Sequence, residues 1–187
     1  MTLLGRFSLI VVLMVALPGV SSAQKVGLYT DLSMSACELV DVPGFLQIHV
    51  FYTGPNTIGV RFAAPIPECW TGAVFVGNSL PPGRVKVGTT QTDFAVVLYP
   101  TLCATPPIWF GDINVVSTGT SQPCCEMVTR ATLEPPYYLR YLDCNMQELE
   151  GLSSGQKLVV NPGDSCHCQI PLATESTTWG RVKSLYR

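Results

Sequence analysis

The densest cluster of reactive side chains in this sequence is Cys166-His167-Cys168. Together with the vicinal pair Cys124-Cys125, it holds enough thiols and imidazole to complete a tetrahedral zinc site. The usual C-x₂₋₄-C spacing is absent, however, and adjacent cysteines on a strand point to opposite faces. Cys166 and Cys168, two positions apart, share a face. The spacing therefore favours disulfide anchors, and metal binding at Cys166, His167 and Cys168 is the alternative.

The N-terminal residues indicate the cellular compartment to which the chain, with its cysteines, is delivered. Arg6 precedes an apolar run over 7–17, Pro18-Gly19 ends that run, and the small residues 21–23 follow it. This order is typical of a secretory signal peptide, with cleavage near Ala23. The apolar run is too short to cross a hydrocarbon layer of about 30 Å as a helix. We expect an exported protein, periplasmic, cell-surface or extracellular, with no membrane span in the mature chain.

All the cysteines follow this leader, and an even number in an oxidising compartment predicts disulfides. They are Cys37, Cys69, Cys103, Cys124, Cys125, Cys144, Cys166 and Cys168. Eight cysteines allow 105 pairings, so the connectivity stays open. One hypothesis joins Cys37 to Cys69, and sends Cys166 and Cys168 to Cys144 and to one member of the vicinal pair.

Catalytic chemistry is poorly supported by the remaining residues. The chain has two histidines, and His49 lies in an alternating strand as a surface or rim residue with no visible partner. Ser165 follows Asn-Pro-Gly-Asp, which is strong turn chemistry and lacks the Gly-x-Ser-x-Gly elbow of hydrolases. We assign no catalytic residue, no metal and no cofactor. A hydrolase remains the alternative, and it requires a carboxylate or serine beside His49 or His167.

The elements that would position these residues show a period of two. Alternate apolar residues lie over 46–52 and again over 58–62, with a loop at 53–56 between them. This pattern predicts a hairpin with a four-residue loop. Further strands are expected near 26–30, 85–87, 94–98, 109–116, 126–133, 138–142 and 157–160. Weak helical patterns are present at 69–76 and 145–149.

Many short strands separated by Gly and Pro predict an all-β fold, an antiparallel β-sandwich of the Ig-like or jelly-roll-like kind. We expect a signal peptide at 1–23, one disulfide-stabilised sandwich domain at 24–170 and a C-terminal tail at 171–187.

The tail differs in composition from the domain before it. One face of a short amphipathic helix could carry Trp179, Val182, Leu185 and Tyr186, which makes the tail a candidate partner-docking segment. The ending Trp-Gly, basic residues, Leu-Tyr-Arg resembles the C-termini of uncharacterised exported bacterial proteins. That resemblance implies no activity.

Charge limits the classes of partner. Only 13% of residues are charged, against about 25% in ordinary domains, and the formal net charge is −2. Strong attraction to nucleic acid or anionic membranes is therefore not expected. Most aromatic residues should lie in the core or pack on disulfides, although an exposed aromatic row could bind carbohydrate or a partner strand. The sequence favours a non-enzymatic binding or structural role with an unknown protein or carbohydrate partner.

Overall fold

A computed structural model describes residues 24–100 and 102–169. Within this part the chain forms strands and no helix, which confirms the all-β prediction. In chain order the strands are β1 Lys25–Tyr29, β2 Glu38–Leu39, β3 Gly44–Thr53, β4 Gly59–Phe62, β5 Val74–Ser79, β6 Arg84–Thr89, β7 Asp93–Leu98, β8 Ile108–Ser117, β9 Cys125–Met127, β10 Arg140–Leu142, β11 Glu148–Leu149, β12 Ser153–Ser154 and β13 Leu158–Val160.

The strands form three sheets. The front sheet has the order β12-β1-β3-β8-β5, and the back sheet has the order β11-β10-β4-β7-β6. A small side sheet has the order β2-β13-β9. Pairing is antiparallel except for β1 with β12 and β13 with β2. The long strands β3 and β8 pair along nearly their whole length and form the centre of the front sheet.

The core lies between the front and back sheets, as the alternation along the strands predicts. Ile48 and Val50 of β3 and Ile113 of β8 are buried from the front, and Phe94 and Val96 of β7 are buried from the back. The rings of Tyr52 and Tyr141 connect the two sheets, with centroids 6.4 Å apart. One face of each strand is therefore committed to the core, and the other face is free to meet solvent or a ligand.

The predicted hairpin over 46–62 is wrong. β3 pairs with β1 and β8 in the front sheet, whereas β4 pairs with β10 and β7 in the back sheet. The connection between them carries the chain from one sheet to the other. Alternation of apolar and polar residues indicates that a segment is a half-buried strand, but it does not indicate which other strand pairs with that segment. A true hairpin joins β6 to β7 instead.

The helical patterns at 69–76 and 145–149 are also not helices. The first becomes a turn followed by β5, and the second becomes a turn that leads into β11. Short apolar runs fit a buried strand as well as a helix, so pattern alone could not separate them. No helix in the described part is long and apolar enough to cross a membrane.

All eight cysteines form disulfides: Cys37–Cys168, Cys69–Cys125, Cys103–Cys144 and Cys124–Cys166. The hypothesis of a Cys37–Cys69 bond is wrong, because Cys37 of the β1–β2 connection lies beside Cys168. Cys166 does bond to the vicinal pair, through Cys124. The neighbouring residues Cys124 and Cys125 bond to separate partners; Cys125 begins β9, whereas Cys124 lies in the preceding turn with a φ of 62°.

Candidate functional site

A cluster of polar side chains on the outward face of the front sheet surrounds the carboxylate of Asp112. We call it the carboxylate cluster; its members are Gln47, Ser79, His49, Trp109 and Asp112. Asp112 lies on β8 and is 7% exposed. Oδ1 accepts hydrogen bonds from His49 Nδ1 at 2.7 Å and from Trp109 Nε1 at 2.9 Å. Oδ2 accepts from Ser79 Oγ at 3.0 Å and from Gln47 Nε2 at 3.1 Å.

Register explains why these residues meet. His49, Asp112 and Ser79 are directly opposite one another on β3, β8 and β5, and each points away from the core. Trp109 is brought to the same carboxylate by the bulge that shifts the pairing of β3 and β8 at Val50/Phe51. Four donors on one buried carboxylate satisfy its hydrogen-bonding capacity and fix three strands of the front sheet relative to one another.

The cluster contains a histidine–carboxylate pair, which the hydrolase alternative requires. The serine nearest to it does not complete a catalytic triad, because Ser79 donates its hydroxyl to Asp112 and not to His49. A nucleophilic serine must instead donate to the imidazole that accepts its proton. The geometry therefore favours a structural network over a nucleophilic site.

Beside the carboxylate cluster lies a group of exposed apolar side chains, which we call the apolar patch: Phe45, Val74, Val76 and Val116. Phe45, Val116 and Val74 are paired across β3, β8 and β5, and they are 60%, 42% and 62% exposed. Val76 occupies the bulge of β5 and is 58% exposed. Gln47 and Asn114 lie in the next row and separate the patch from Asp112.

The loop before β3 holds Phe45 in place. Asp41 is buried, its backbone N–H donates to Asn161 Oδ1 at 2.8 Å, and its Oδ2 accepts from the backbone N–H of Ser121 at 2.9 Å. Burial by itself raises the pKa of Asp41, but hydrogen bonds from Ser117 and Ser121 outweigh it and leave the pKa lowered. The carboxylate therefore stays ionised and ties the start of β3 to the side sheet.

The outward face of the back sheet has a different chemistry. Arg61 donates from Nε to Asp93 Oδ1 at 2.9 Å, and Arg140 donates to Glu150 at 2.8 Å. The two guanidinium groups lie 4.2 Å and 4.3 Å from the centre of the Tyr138 ring. Hydrogen bonding to Arg61 lowers the pKa of Asp93 and raises that of Arg61. We call these residues the arginine–tyrosine cluster.

The residues first considered for metal chemistry lie elsewhere. The sulfurs of Cys166 and Cys168 are in disulfides, so the metal-binding alternative loses its thiolate ligands. His167 is 60% exposed, and its Nδ1 lies 3.1 Å from Glu38 Oε1, which also accepts from the backbone N–H of Cys168. No group of three metal-ligating side chains occurs among the described residues.

Seven of the fourteen aromatic residues in the described part are buried, four are half-buried and three are exposed. Trp70, beside the Cys69–Cys125 disulfide, and Phe110 are buried. The large exposed rings of the described chain, Phe45, Tyr99 and Tyr137, belong to separate segments. The candidate docking residues Trp179, Val182, Leu185 and Tyr186 lie outside the described residues, and their role stays a prediction.

Sequence reasoning missed Asp112 as the partner of His49, and Trp109 and Ser79 as further donors to Asp112. One signal was available: Asp112 is an acidic residue inside an apolar strand, in a chain with few charges. A carboxylate in that position requires donors, and apart from Trp109 on the same strand these come from the neighbouring strands β3 and β5. The identity of those strands was not readable from the sequence.

Comparison with known proteins identifies no family for this chain. No family model and no curated protein matches the sequence. Several solved structures of cohesins are similar. One is the sixth cohesin of scaffoldin B from Acetivibrio cellulolyticus, solved with a dockerin, at 9% identity and TM-score 0.48, covering 76% of this chain and 100% of that chain.

Two further cohesins show the same level of similarity. A type III cohesin module from the cell-surface anchoring scaffoldin ScaE of Ruminococcus flavefaciens matches at 8% identity and TM-score 0.46, covering 77% of this chain and 90% of that chain. The CaCohA2 structure from Clostridium acetobutylicum matches at 12% identity and TM-score 0.43, covering 79% and 95%. The likeness concerns the arrangement of strands.

Proposed function

We propose that this protein is an exported, non-enzymatic binding module, and that its apolar patch docks a protein partner. The observation that carries the proposal is the row Phe45, Val116 and Val74. Exposed single apolar residues are ordinary, but a contiguous group across three hydrogen-bonded strands is typical of an interaction surface.

The framework around the patch suits such a role. The carboxylate cluster locks β3, β8 and β5 together immediately beside the patch, so the side chains are presented on a rigid sheet and little conformational freedom is lost on binding. Gln47 and Asn114 supply a polar, uncharged rim next to the apolar row. The face therefore fits a partner with an apolar centre and hydrogen-bonding groups at its edge.

Protein is favoured over carbohydrate as the partner. Carbohydrate recognition on a sheet uses aromatic ring faces together with polar groups, and the patch offers one ring, Phe45, among three valines. Trp109 is half-buried and its indole N–H is committed to Asp112 and to the carbonyl of Gly111. Aliphatic side chains match a protein surface better than the hydroxyl-rich surface of a sugar.

An exported location is consistent with the disulfides. Four bonds use every cysteine, and bonds of this kind persist in oxidising compartments. The signal peptide expected at 1–23 would direct the chain to such a compartment. The finer location, periplasm, cell surface or medium, is part of the proposal.

Site-specific photo-crosslinking in the producing cell tests the docking face. A photoreactive amino acid replaces Phe45 on the front sheet, which is 60% exposed, or, as a control, Val87 on the back sheet, which is 73% exposed. We expect a discrete protein adduct from position 45 that disappears when Val74→Asp is added, and none from position 87. The aspartate should weaken binding at least about tenfold, because it places a charge in a desolvated interface.

The same experiment can contradict the proposal. Equal adducts from positions 45 and 87, or an adduct insensitive to Val74→Asp, would show that the patch is not the docking face. Since the patch and its rim carry no charge, binding should also change less than about threefold between low and high salt. A steep salt dependence would indicate a different surface.

A further inference from the structure

A gap lies between two segments near the side sheet, away from the front face. At one end, Ala63 and Arg130 exchange two backbone hydrogen bonds of 2.8 Å. At the other end, the Gln122 N–H donates to the Cys69 carbonyl at 3.0 Å, and the Cys69–Cys125 disulfide joins the same segments. Between these fixed ends the segments separate and form an open trough of about 780 Å³.

One wall of the trough is the free edge of β9 and its continuation. On β13, the N–H of Val159 donates to the carbonyl oxygen of Cys37, beside β2. The backbone groups of its neighbours Leu158 and Val160 therefore point the other way, toward β9. Their partners are Met127 and Cys125. Because the N–H and C=O groups of successive residues alternate in direction along a strand, those of Glu126 and Val128 point away from β13 and into the trough. The backbone groups of Arg130 point the same way and bond to Ala63.

These groups of Glu126 and Val128 have no hydrogen-bond partner among the described residues. The opposite wall cannot pair with them as a strand. Pro65 and Pro67 have no N–H, and the N–H of Ile66 donates to Gln91 Oε1 at 3.0 Å. The prolines therefore keep the two walls apart and leave the β9 edge open within the trough.

Charged and apolar side chains line the trough in a defined order. Arg130 lies at the end closed by Ala63, and Glu68 lies at the disulfide end. Neither forms an ion pair within the described chain, whereas Glu126 is paired with Lys157. Ile66 and the partly exposed Val128 provide apolar surface between the two ends.

We infer that this trough binds an extended segment of a partner protein, which adds one strand to the side sheet along β9. The unpaired backbone groups of Glu126 and Val128 supply the main-chain hydrogen bonds of such strand addition. Charge complementarity defines the segment: it carries an acidic side chain opposite Arg130, a basic side chain opposite Glu68 and an apolar side chain between them.

The distance along β9 sets the length of the segment. Residues 126–130 span about 14 Å at roughly 3.4 Å per residue, so about five residues fill the trough. The site differs from the apolar patch in position and in mode of recognition, since it reads a backbone edge and not a sheet face. Its occupation is independent of the front-face partner.

Titration of the isotope-labelled, disulfide-intact chain 24–187 with short capped peptides tests the inference. The probes are Glu-Val-Thr-Val-Lys and Lys-Val-Thr-Val-Glu, which cover both strand directions. We expect one of them to bind saturably, with shifts at Glu126, Val128 and Ile66. A probe methylated on alternate backbone nitrogens should bind about tenfold more weakly, because it cannot form the ladder.

A pair of protein variants isolates the edge itself. Val128→Pro removes the N–H that points into the trough, at an edge position where proline is compatible with a strand. Val128→Ala keeps that N–H and loses two methyl groups, so it measures the effect of lost apolar surface without loss of the donor. Peptide binding should fall about tenfold in the first and less than about threefold in the second. Phe45→Asp on the front face should leave peptide binding unchanged.

Three results would overturn the inference. The first is the absence of saturable binding by either probe at about 5 mM, the weak limit for a specific peptide contact. The second is slow amide exchange at Glu126 and Val128 in chain 24–187 that becomes fast in chain 24–169, which would identify the protein's own C-terminal segment as the occupant. The third is protection that increases with protein concentration, which would identify a second copy.

Discussion

The outward faces of the front and back sheets handle charge in opposite ways. On the front, Asp112 is nearly buried and is satisfied by four neutral or weakly basic donors, and the apolar patch beside it carries no charge. On the back, the ion pairs of Arg61 and Arg140 are half-exposed and surround Tyr138. The front face thus places uncovered apolar surface beside a rigid polar frame. The back face carries a partly exposed network of charges around Tyr138, and its exposed valines, Val85 and Val87, lie on the edge strand β6.

This difference indicates which face is free for a ligand. Charges on the back are already paired, and a partner would have to remove them from water at a cost that often equals the gain. The apolar patch on the front loses little by leaving water. The same contrast predicts that stability depends strongly on the front cluster and weakly on the back pairs, which three substitutions can test.

The largest expected effect is that of Asp112→Ala. Removing the shared acceptor takes the Asp112 oxygens away from the donors of His49, Trp109, Gln47 and Ser79, and all of these side chains except Gln47 are half-buried. We expect the free energy of unfolding to fall by about 2–4 kcal/mol. Denaturant titration with the disulfides intact measures it. Asp112→Asn, which keeps one acceptor oxygen, should cost less, and a loss below about 1 kcal/mol for Asp112→Ala would contradict the contrast between the faces.

A smaller effect is expected for Asp93→Asn on the back. The Arg61–Asp93 pair is about one-third exposed, so its loss should lower the free energy of unfolding by about 0.5–1 kcal/mol. Because the pKa of Asp93 is lowered in the folded state, its contribution is complete above the ordinary aspartate pKa of 3.8 and is lost as the pH falls toward and through the lowered folded-state pKa. Unfolding titrations should therefore show a larger difference between parent and variant at pH 7 than at pH 2.5.

A second carboxylate, Asp31, also makes stability depend on acid pH, and its effect must be distinguished from that of Asp93. Hydrogen bonds from Ser33 and Ser35 lower the pKa of Asp31 to about 2, so this exposed turn also loses its contribution in acid. Both the parent and the Asp93→Asn variant retain Asp31, so its contribution to the free energy of unfolding cancels when the two are compared. An identical difference at the two pH values would show that Arg61 does not stabilise the ionised Asp93.

The smallest effect is expected for Tyr138→Leu. The ring contacts both guanidinium groups, and its replacement by the shorter leucine removes the cation–π attraction while keeping part of the apolar contact. The loss should be about 0.5–1 kcal/mol or less at this partly exposed position. Thermal unfolding of the variant beside Tyr138→Phe, which keeps a ring, measures the attraction. A loss equal to that of Asp112→Ala would mean that the back cluster is as structural as the front one.

Particular residues show how far the sequence could be interpreted. The alternation of Leu46, Ile48 and Val50 identified β3 and its buried face, and the same pattern placed His49 on the other side. Local side-chain period is a property of the strand itself, so it is visible without the fold. The partner of His49 was not visible, because Asp112 lies more than sixty residues away and meets it only through strand pairing.

The sequence by itself determined the all-β class, the expectation of disulfides and the two faces of each long strand, since these follow from composition, compartment and period. Tertiary structure alone decided that β3 and β4 belong to different sheets, that Cys37 reaches Cys168, and that Phe45, Val116 and Val74 align. Strand order and register depend on contacts between distant segments, whose free energies compete across the whole chain. The candidate binding surfaces depend on that register, and for this reason they could not be predicted from any local sequence pattern.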